Sequence, residues 1–166
     1  MTFSVRAART DDVPAIQALI APLVEQNILL GKDPVFLYES IQEFRIAVDA
    51  AGTPIGCGAV HVMWRDLAEV RTLAVSQSWL KRGVGRGLLH HLEAAARELG
   101  IRRLFCLTFE TEFFVSHGFE VMSDEPLEPE IFAELVRSTD EGVAEFLDLA
   151  RVKPNTLGNT RMLKLL

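Results

Sequence analysis

The stretch Leu80-Lys81-Arg82-Gly83-Val84-Gly85-Arg86-Gly87-Leu88 constrains this chain more than any other. It follows an extended run, Glu69 to Val75 (EVRTLAV), and opens a segment from Val84 to Leu99 in which Leu88, Leu89, Leu92, Ala95, Ala96 and Leu99 recur at helical spacing. Gly100 stands where a left-handed residue ends a helix, and Arg103 to Phe109 (RLFCLTF) reads as another strand. These pieces make one β-loop-α-β unit. The glycines let the backbone come close to a ligand, and the N–H groups and dipole of the helix's first turn form an anion site suited to a pyrophosphate. A dinucleotide fingerprint requires glycine at position 88, which is Leu88, and a nucleotide P-loop requires Gly-Lys-Ser/Thr, which is absent. The competing explanation is that the glycines only permit close helix packing.

Around this unit the pattern continues in α/β style. Phe3 to Ala8 alternates as a short strand, and Thr10, Asp11, Asp12 and Pro14 supply cap and first-turn residues for a helix carrying Ile16, Leu19, Ile20 and Leu23. Past the Gly31 to Pro34 break comes a shorter segment, Val35 to Gln42, with Tyr38, the only tyrosine. Phe44 to Val48 and Ile55 to Trp64 form a hairpin around Asp49 to Pro54, with Gly56 and Gly58 marking a bulge. Glu112 to His117 is a short helical turn, Gly118 to Met122 a strand and Pro129 to Ser138 a helix. Val143 to Ala150 is ambiguous between helix and strand, and Arg161 to Leu166 reads as a final strand.

With 166 residues, 49% apolar and 24% charged, residues 1–166 are expected to form a single domain with its own core. A net charge of −6 argues against nucleic-acid binding, which needs a basic face. All acidic residues lie at or before Asp148, whereas the tail beyond it holds Arg151, Lys153, Arg161 and Lys164. No apolar run reaches the ~20 residues of a membrane span, and the first residues lack a signal-peptide core, so a cytoplasmic location is expected. Cys57 and Cys106 form no CxxC pattern, and His61, His90, His91 and His117 lack ligand spacing, so no metal is expected.

EVRTLAV, the loop RGVGRGLL with its long helix, FCLTF and FFVSHGF together resemble the GNAT acetyltransferases, which bind acetyl-CoA. The resemblance implies an α/β (α+β) fold with a mixed, mostly antiparallel sheet of six to seven strands, helices on both faces and a splayed central strand pair. It implies that the strand Glu69 to Val75 is bulged and that the pantetheine arm lies beside it, its amides held by the main chain of Leu73 and Val75. A backbone N–H near Leu73 or Ala74 is expected to stabilise the oxyanion. The backbone of Lys81, Arg82, Gly83, Val84, Gly85 and Arg86 is expected to cradle the phosphates. Two departures stand out. The family's Arg or Gln at the loop's start is Leu80, so its side-chain contact to phosphate is either lost or taken over by Lys81 or Arg82, and the tyrosine that protonates the leaving thiolate in many members is missing, with Phe113 and Phe114 in its place and Phe114 expected at the cofactor.

Direct acetyl transfer needs an unprotonated amine, so a proton acceptor must serve it. Strand alternation puts Glu69, Arg71, Leu73 and Val75 on one face, which makes Glu69, acting through water, the first choice of base. The alternative is a same-face ion pair between Glu69 and Arg71. Glu110, Glu112 and His117 are rival candidates that also read as solvated loop residues. Ser116 or water is expected to serve as acid, since a thiol of pKa about 8.5 is a modest leaving group. Cys106 could carry an acetyl group in a ping-pong route, but its apolar strand and lack of a neighbouring histidine favour a buried structural thiol.

LTFETEFFVSHGFE and the ending ARVKPNTLGNTRMLKLL look like the short bacterial amino-acid N-acetyltransferases, without a kinase-like domain, that make N-acetylglutamate for arginine synthesis. That resemblance implies acetyl transfer from acetyl-CoA to the α-amine of glutamate or glutamine, with Asn159, Arg161 and Lys164 near the substrate. An α-carboxylate wants a planar bidentate donor, which Arg161 or Arg71 supplies. Thr108, Lys153 and Asn155 are weaker substrate candidates, the last two because Pro-Asn-Thr is also turn chemistry. Other amines (a polyamine, an aminoglycoside, a protein N-terminus) and a non-catalytic acetyl-CoA sensor remain open alternatives. A homodimer through an exposed final strand is a further expectation.

Overall fold

In the computed structural model, which describes residues 2–122, 128–147 and 159–166, seven strands have the hydrogen-bonded order β1-β2-β3-β4-β5-β7-β6. They are β1 (Phe3–Ala7), β2 (Phe44–Asp49), β3 (Pro54–Trp64), β4 (Leu67–Val75), β5 (Arg103–Thr108), β6 (Glu120–Val121) and β7 (Thr160–Leu165). The helices are α1 (Val13–Glu25), α2 (Pro34–Glu39), α3 (Val84–Glu98), α4 (Thr111–Ser116), α5 (Pro129–Leu135) and α6 (Glu141–Phe146). The chain divides into two compact units, one of Met1–His61 with Val70–Leu99 and one of Val62–Glu69 with Gly100–Leu166.

In the first unit β1, β2 and β3 form an antiparallel meander whose register shifts between Ala47 and Val48. Val48 faces Pro54 and Ala47 faces Gly56, so Ile55 is the extra residue of a bulge beside the expected glycine. Alternation along β2 sends Phe44, Ile46 and Val48 into one cluster with Ile16, Ile20 and Leu37 of α1 and α2. It sends Ala47 into another with Trp79, Val84 and Leu88 of α3. Helices therefore cover both faces here, and glycine brings α3 close: a Cβ at Gly56 would lie 3.0 Å from both Leu88 Cδ1 and Val84 Cγ1. Arg6 and Asp12 tie β1 to the start of α1, with the carboxylate accepting at 2.7 and 2.9 Å from the guanidinium and at 2.7 Å from the Arg9 N–H.

In the second unit β4 and β5 pair in parallel, Leu67 with Arg103, Ala68 with Leu104 and Glu69 with Phe105. β7 lies antiparallel to β5 on its other side, and β6 pairs with β7 at Leu163 and Met162. The expectation of an exposed final strand is therefore corrected: β7 is interior, and the two-residue β6 takes the edge. Phe105, Leu67 and Met63 pack with Leu135, Val143 and Phe146, so α5 and α6 cover one face. Phe146 meets Phe105 edge-on at 5.3 Å. The ambiguous segment after Val143 is helical through Phe146. Leu99, expected on the apolar stripe of α3, is 61% exposed: it follows the last helical residue, and Gly100 at φ +87° turns the chain away.

Candidate active site

The loop between β4 and α3 is built from backbone conformations that few residues adopt. A 3-10 turn, Gln77–Trp79, leads to Lys81 at φ +60° and Gly83 at φ +85°. Left-handed residues in a short loop turn successive N–H groups toward one side, the geometry of an anion nest. Gly83 is the N-cap of α3, so no side chain caps the helix, and its first turn holds no acid. Lys81, Arg82 and Arg86 are exposed around these N–H groups, Gly85 is half-buried, and Val84 anchors the turn in the core. Arg82 lies over the Trp79 ring, 5.7 Å from its centroid, which fixes a cation at the loop despite Leu80. The loop glycines differ in their surroundings. Nothing lies within 4 Å of a Cβ built at Gly83, whereas one at Gly87 would come within 2.9 Å of Phe3 Cε2.

Within the first unit, Arg71, Leu73 and Val75 are half-buried and alternate with buried Val70, Thr72 and Ala74. Glu69 is 4% exposed and belongs to the second unit. A kink at Thr72, whose φ is +56°, lies within this row. A β-branched residue there is strained, and its carbonyl accepts a hydrogen bond from the Cys57 thiol at 3.5 Å. Burial pushes this thiol up to about 12 and keeps it protonated, with the Ala74 backbone opposing.

The second unit places the other candidates. Cys106 is buried, and burial first and the charge of Glu69 second raise its thiol, which puts Glu69 beside it and disfavours the thiolate of an acetyl-cysteine route. Phe114, expected at the cofactor, is 5% exposed and stacks edge-on with Phe119 at 5.0 Å and Phe113 at 5.1 Å. Ser116 is exposed, but its hydroxyl donates to the Phe113 carbonyl at 2.6 Å. His117 Nδ1 lies 2.7 Å from that carbonyl and 3.1 Å from Ser116 Oγ. Thr108 is buried and its Oγ1 accepts from the Glu110 N–H at 2.8 Å, so it serves a turn. Glu110 and Glu112 are exposed.

Arg161 stands opposite Leu107 in the β5–β7 ladder. One of its terminal nitrogens donates to the Phe146 carbonyl, and its Nε is buried with no partner among the described residues. A buried guanidinium N–H without an acceptor is costly, and a carboxylate is the acceptor whose planar geometry matches it. Asn159 is half-buried just before the strand. Lys153 and Asn155 lie outside the described residues. Among the described residues no three His, Cys, Asp or Glu side chains come together as a metal site. No helix among them is long and apolar enough to cross a membrane. Sequence reasoning missed Cys57 and Trp79, whose roles arise from contacts that no motif announces.

A seven-stranded mixed sheet with a glycine-rich anion loop opening α3 is the architecture of an acyl-CoA-dependent acetyltransferase. The chain belongs to the acetyltransferase (GNAT) family, whose model matches residues 22–119. It is 51% identical to an amino-acid acetyltransferase of Mycobacterium tuberculosis H37Rv over 164 residues, covering 98% of this chain and 94% of that protein. Among solved structures it resembles the Mycobacterium tuberculosis protein Rv2747 in complex with CoA and NLQ. The TM-score is 0.89 at 51% identity, and 98% of each chain is covered. It also resembles the N-acetylglutamate synthase of Neisseria gonorrhoeae complexed with coenzyme A and N-acetyl-glutamate. There the TM-score is 0.79 at 31% identity, and the match spans all of this chain but 35% of that synthase.

Proposed function

We propose that residues 1–166 act as one acetyltransferase domain that moves the acetyl group of acetyl-CoA to the α-amine of an amino acid. The acceptor is glutamate or glutamine, the reaction is direct transfer in a ternary complex, and its place is the first step of arginine biosynthesis in the cytoplasm. The observation that carries the reading is the left-handed loop at Lys81 and Gly83 leading into an uncapped α3. This loop receives the pyrophosphate, with Arg82, held over Trp79, as its side-chain cation. The main chain of Leu73 and Val75 holds the pantetheine amides. The half-satisfied Arg161 supports a substrate carboxylate, and the similarity to amino-acid acetyltransferases supports the acceptor class. Both cysteines are buried free thiols, in keeping with a reducing compartment.

In the transfer, the amine nitrogen attacks the thioester carbonyl carbon, the carbonyl electrons move onto oxygen, and the C–S bond breaks as the tetrahedral intermediate collapses. Glu69, through water, takes the amine proton. Ser116 is free to act as acid only if its hydroxyl leaves the Phe113 carbonyl, so water is the simpler proton donor to the departing sulfur. The test is thiol release from acetyl-CoA, followed with a chromogenic thiol reagent, across the proteinogenic amino acids with polyamines and a short peptide alongside. Release above all with glutamate or glutamine is the expected result. Release with a polyamine or peptide in their place overturns the acceptor assignment, and no release with any amine overturns the enzymatic reading.

A further inference from the structure

We infer that Cys57 is a positioning residue for the transfer: its buried thiol donates to the Thr72 carbonyl, locking the kink of β4 so that the Leu73 N–H is presented to the thioester oxygen. The inference rests on the acetyl-transfer reading above. Two observations within the first unit carry it. Thr72 holds a left-handed φ of +56° in the middle of a strand while 7% exposed, a strain that persists only where the surroundings enforce it. Cys57 Sγ lies 3.5 Å from the Thr72 carbonyl oxygen and donates to it.

The consequence follows from the planar trans peptide. The carbonyl of Thr72 and the N–H of Leu73 belong to one peptide unit and point in opposite directions. Fixing the carbonyl on Cys57 turns the Leu73 N–H away from Cys57, to the opposite side of the strand. Of the two donors expected near the kink, Leu73 is the one whose peptide unit the thiol orients. A left-handed residue also withdraws backbone groups from the sheet ladder, and those groups need partners when buried. A thiol suits the task because burial keeps it a neutral donor rather than an anion that would repel the developing charge. The carbonyl oxygen gains negative charge as the amine adds and loses it when the C–S bond breaks and the sulfur is protonated. A donor held in place beforehand acts mainly on that intermediate.

The experiment compares wild type with Cys57→Ser, Cys57→Ala and Cys57→Val, measuring kcat, both KM values and the amide hydrogen exchange of Ala74 by NMR. Serine keeps a donor and an acceptor, and is expected to retain kcat within about threefold and Ala74 protection. Alanine and valine are expected to lower kcat by about 10- to 100-fold, below the full loss of an oxyanion donor, with the acetyl-CoA KM within about twofold and faster Ala74 exchange. Equal kcat in Cys57→Val and wild type overturns the inference. So does a serine variant as slow as valine, because packing would then be the only role. If valine does not fold, the smaller alanine carries the comparison. A wild-type chain that releases no CoA defeats the acetyl-transfer reading instead, and Ala74 exchange in Cys57→Ala then decides whether the thiol holds the kink.

Discussion

Replacing Asp12 with alanine removes the acceptor of three short hydrogen bonds at once: two from the Arg6 guanidinium and one from the Arg9 N–H. The Arg6 side chain is 34% exposed against 9% for Asp12, so solvent screens the ion pair and restores part of what the arginine loses. Its share is about 1 kcal/mol, the upper end for an exposed pair, and the lost helix-start cap adds about 1 kcal/mol. The sum, about 2 kcal/mol, corresponds to a Tm lower by about 4–8 °C for a chain of this size. The pH dependence separates this account from simple packing loss. The hydrogen bond from Arg6 holds the Asp12 carboxyl below its ordinary value of 3.8, with burial opposing and the Arg9 N–H assisting. A carboxyl depressed in the folded state contributes its stability fully above its unfolded pKa and loses it as pH falls through the folded one. Urea unfolding followed by circular dichroism should therefore show a wild-type advantage that is constant from neutral pH down to about pH 5 and shrinks progressively below the unfolded carboxyl value of about 3.9. An advantage as large at pH 2 as at pH 7 would refute the electrostatic origin.

Gly85→Glu sets a negative side chain in the half-buried first turn of α3, so acetyl-CoA binding measured by calorimetry should collapse while the circular dichroism spectrum persists. Arg161→Ala should raise the amino-acid KM by about 10- to 100-fold, the worth of a charge-assisted hydrogen bond, and leave the acetyl-CoA KM unchanged; equal effects on both remove Arg161 from the carboxylate role. Cys106 is 1% exposed with its thiol raised by burial, so a thiol-alkylating reagent should leave it unmodified in the native protein, and Cys106→Ala should keep kcat within about twofold.

The elements with strong local signals were legible before any coordinates. The leucine spacing of α3, the turn at Asp49 to Pro54 and the proline and acids before α1 depend on neighbours in sequence, which is why those elements fall within a residue or two of expectation. Contacts distant in sequence were not legible. β7 reads as a strand from its own residues, but its insertion between β5 and β6 is decided by pairing with Phe105 and Val121 partners far along the chain. The resemblance implied an irregular strand between Glu69 and Val75, but not that the left-handed residue would be Thr72, because threonine is among the residues least suited to that φ and its Cys57 contact lies fifteen positions away. Ser116 shows the converse: the residue type suits an acid, and only the fold reveals that its hydroxyl bonds to the Phe113 carbonyl. The loop itself was readable because glycine and a missing helix cap are written in composition, whereas the Trp79 platform beneath Arg82 is a matter of packing.

The strand order of the second unit also governs how the chain is assembled over time. β5 is synthesised before α4, β6, α5 and α6, yet the strand that covers its free side is β7, made after all of them. During synthesis the apolar edge from Leu104 to Leu107 therefore waits without its partner, exposed to other nascent chains. Closure then depends on pairing residues that are far apart in sequence, a slow event that local helix formation cannot accelerate. Destabilising changes in β7, such as Met162→Ala beneath the β6 edge, should accordingly act on the yield of folded protein in cells more than on the activity of the molecules that do fold. Nearby fusion partners that delay release of that strand should have the same effect.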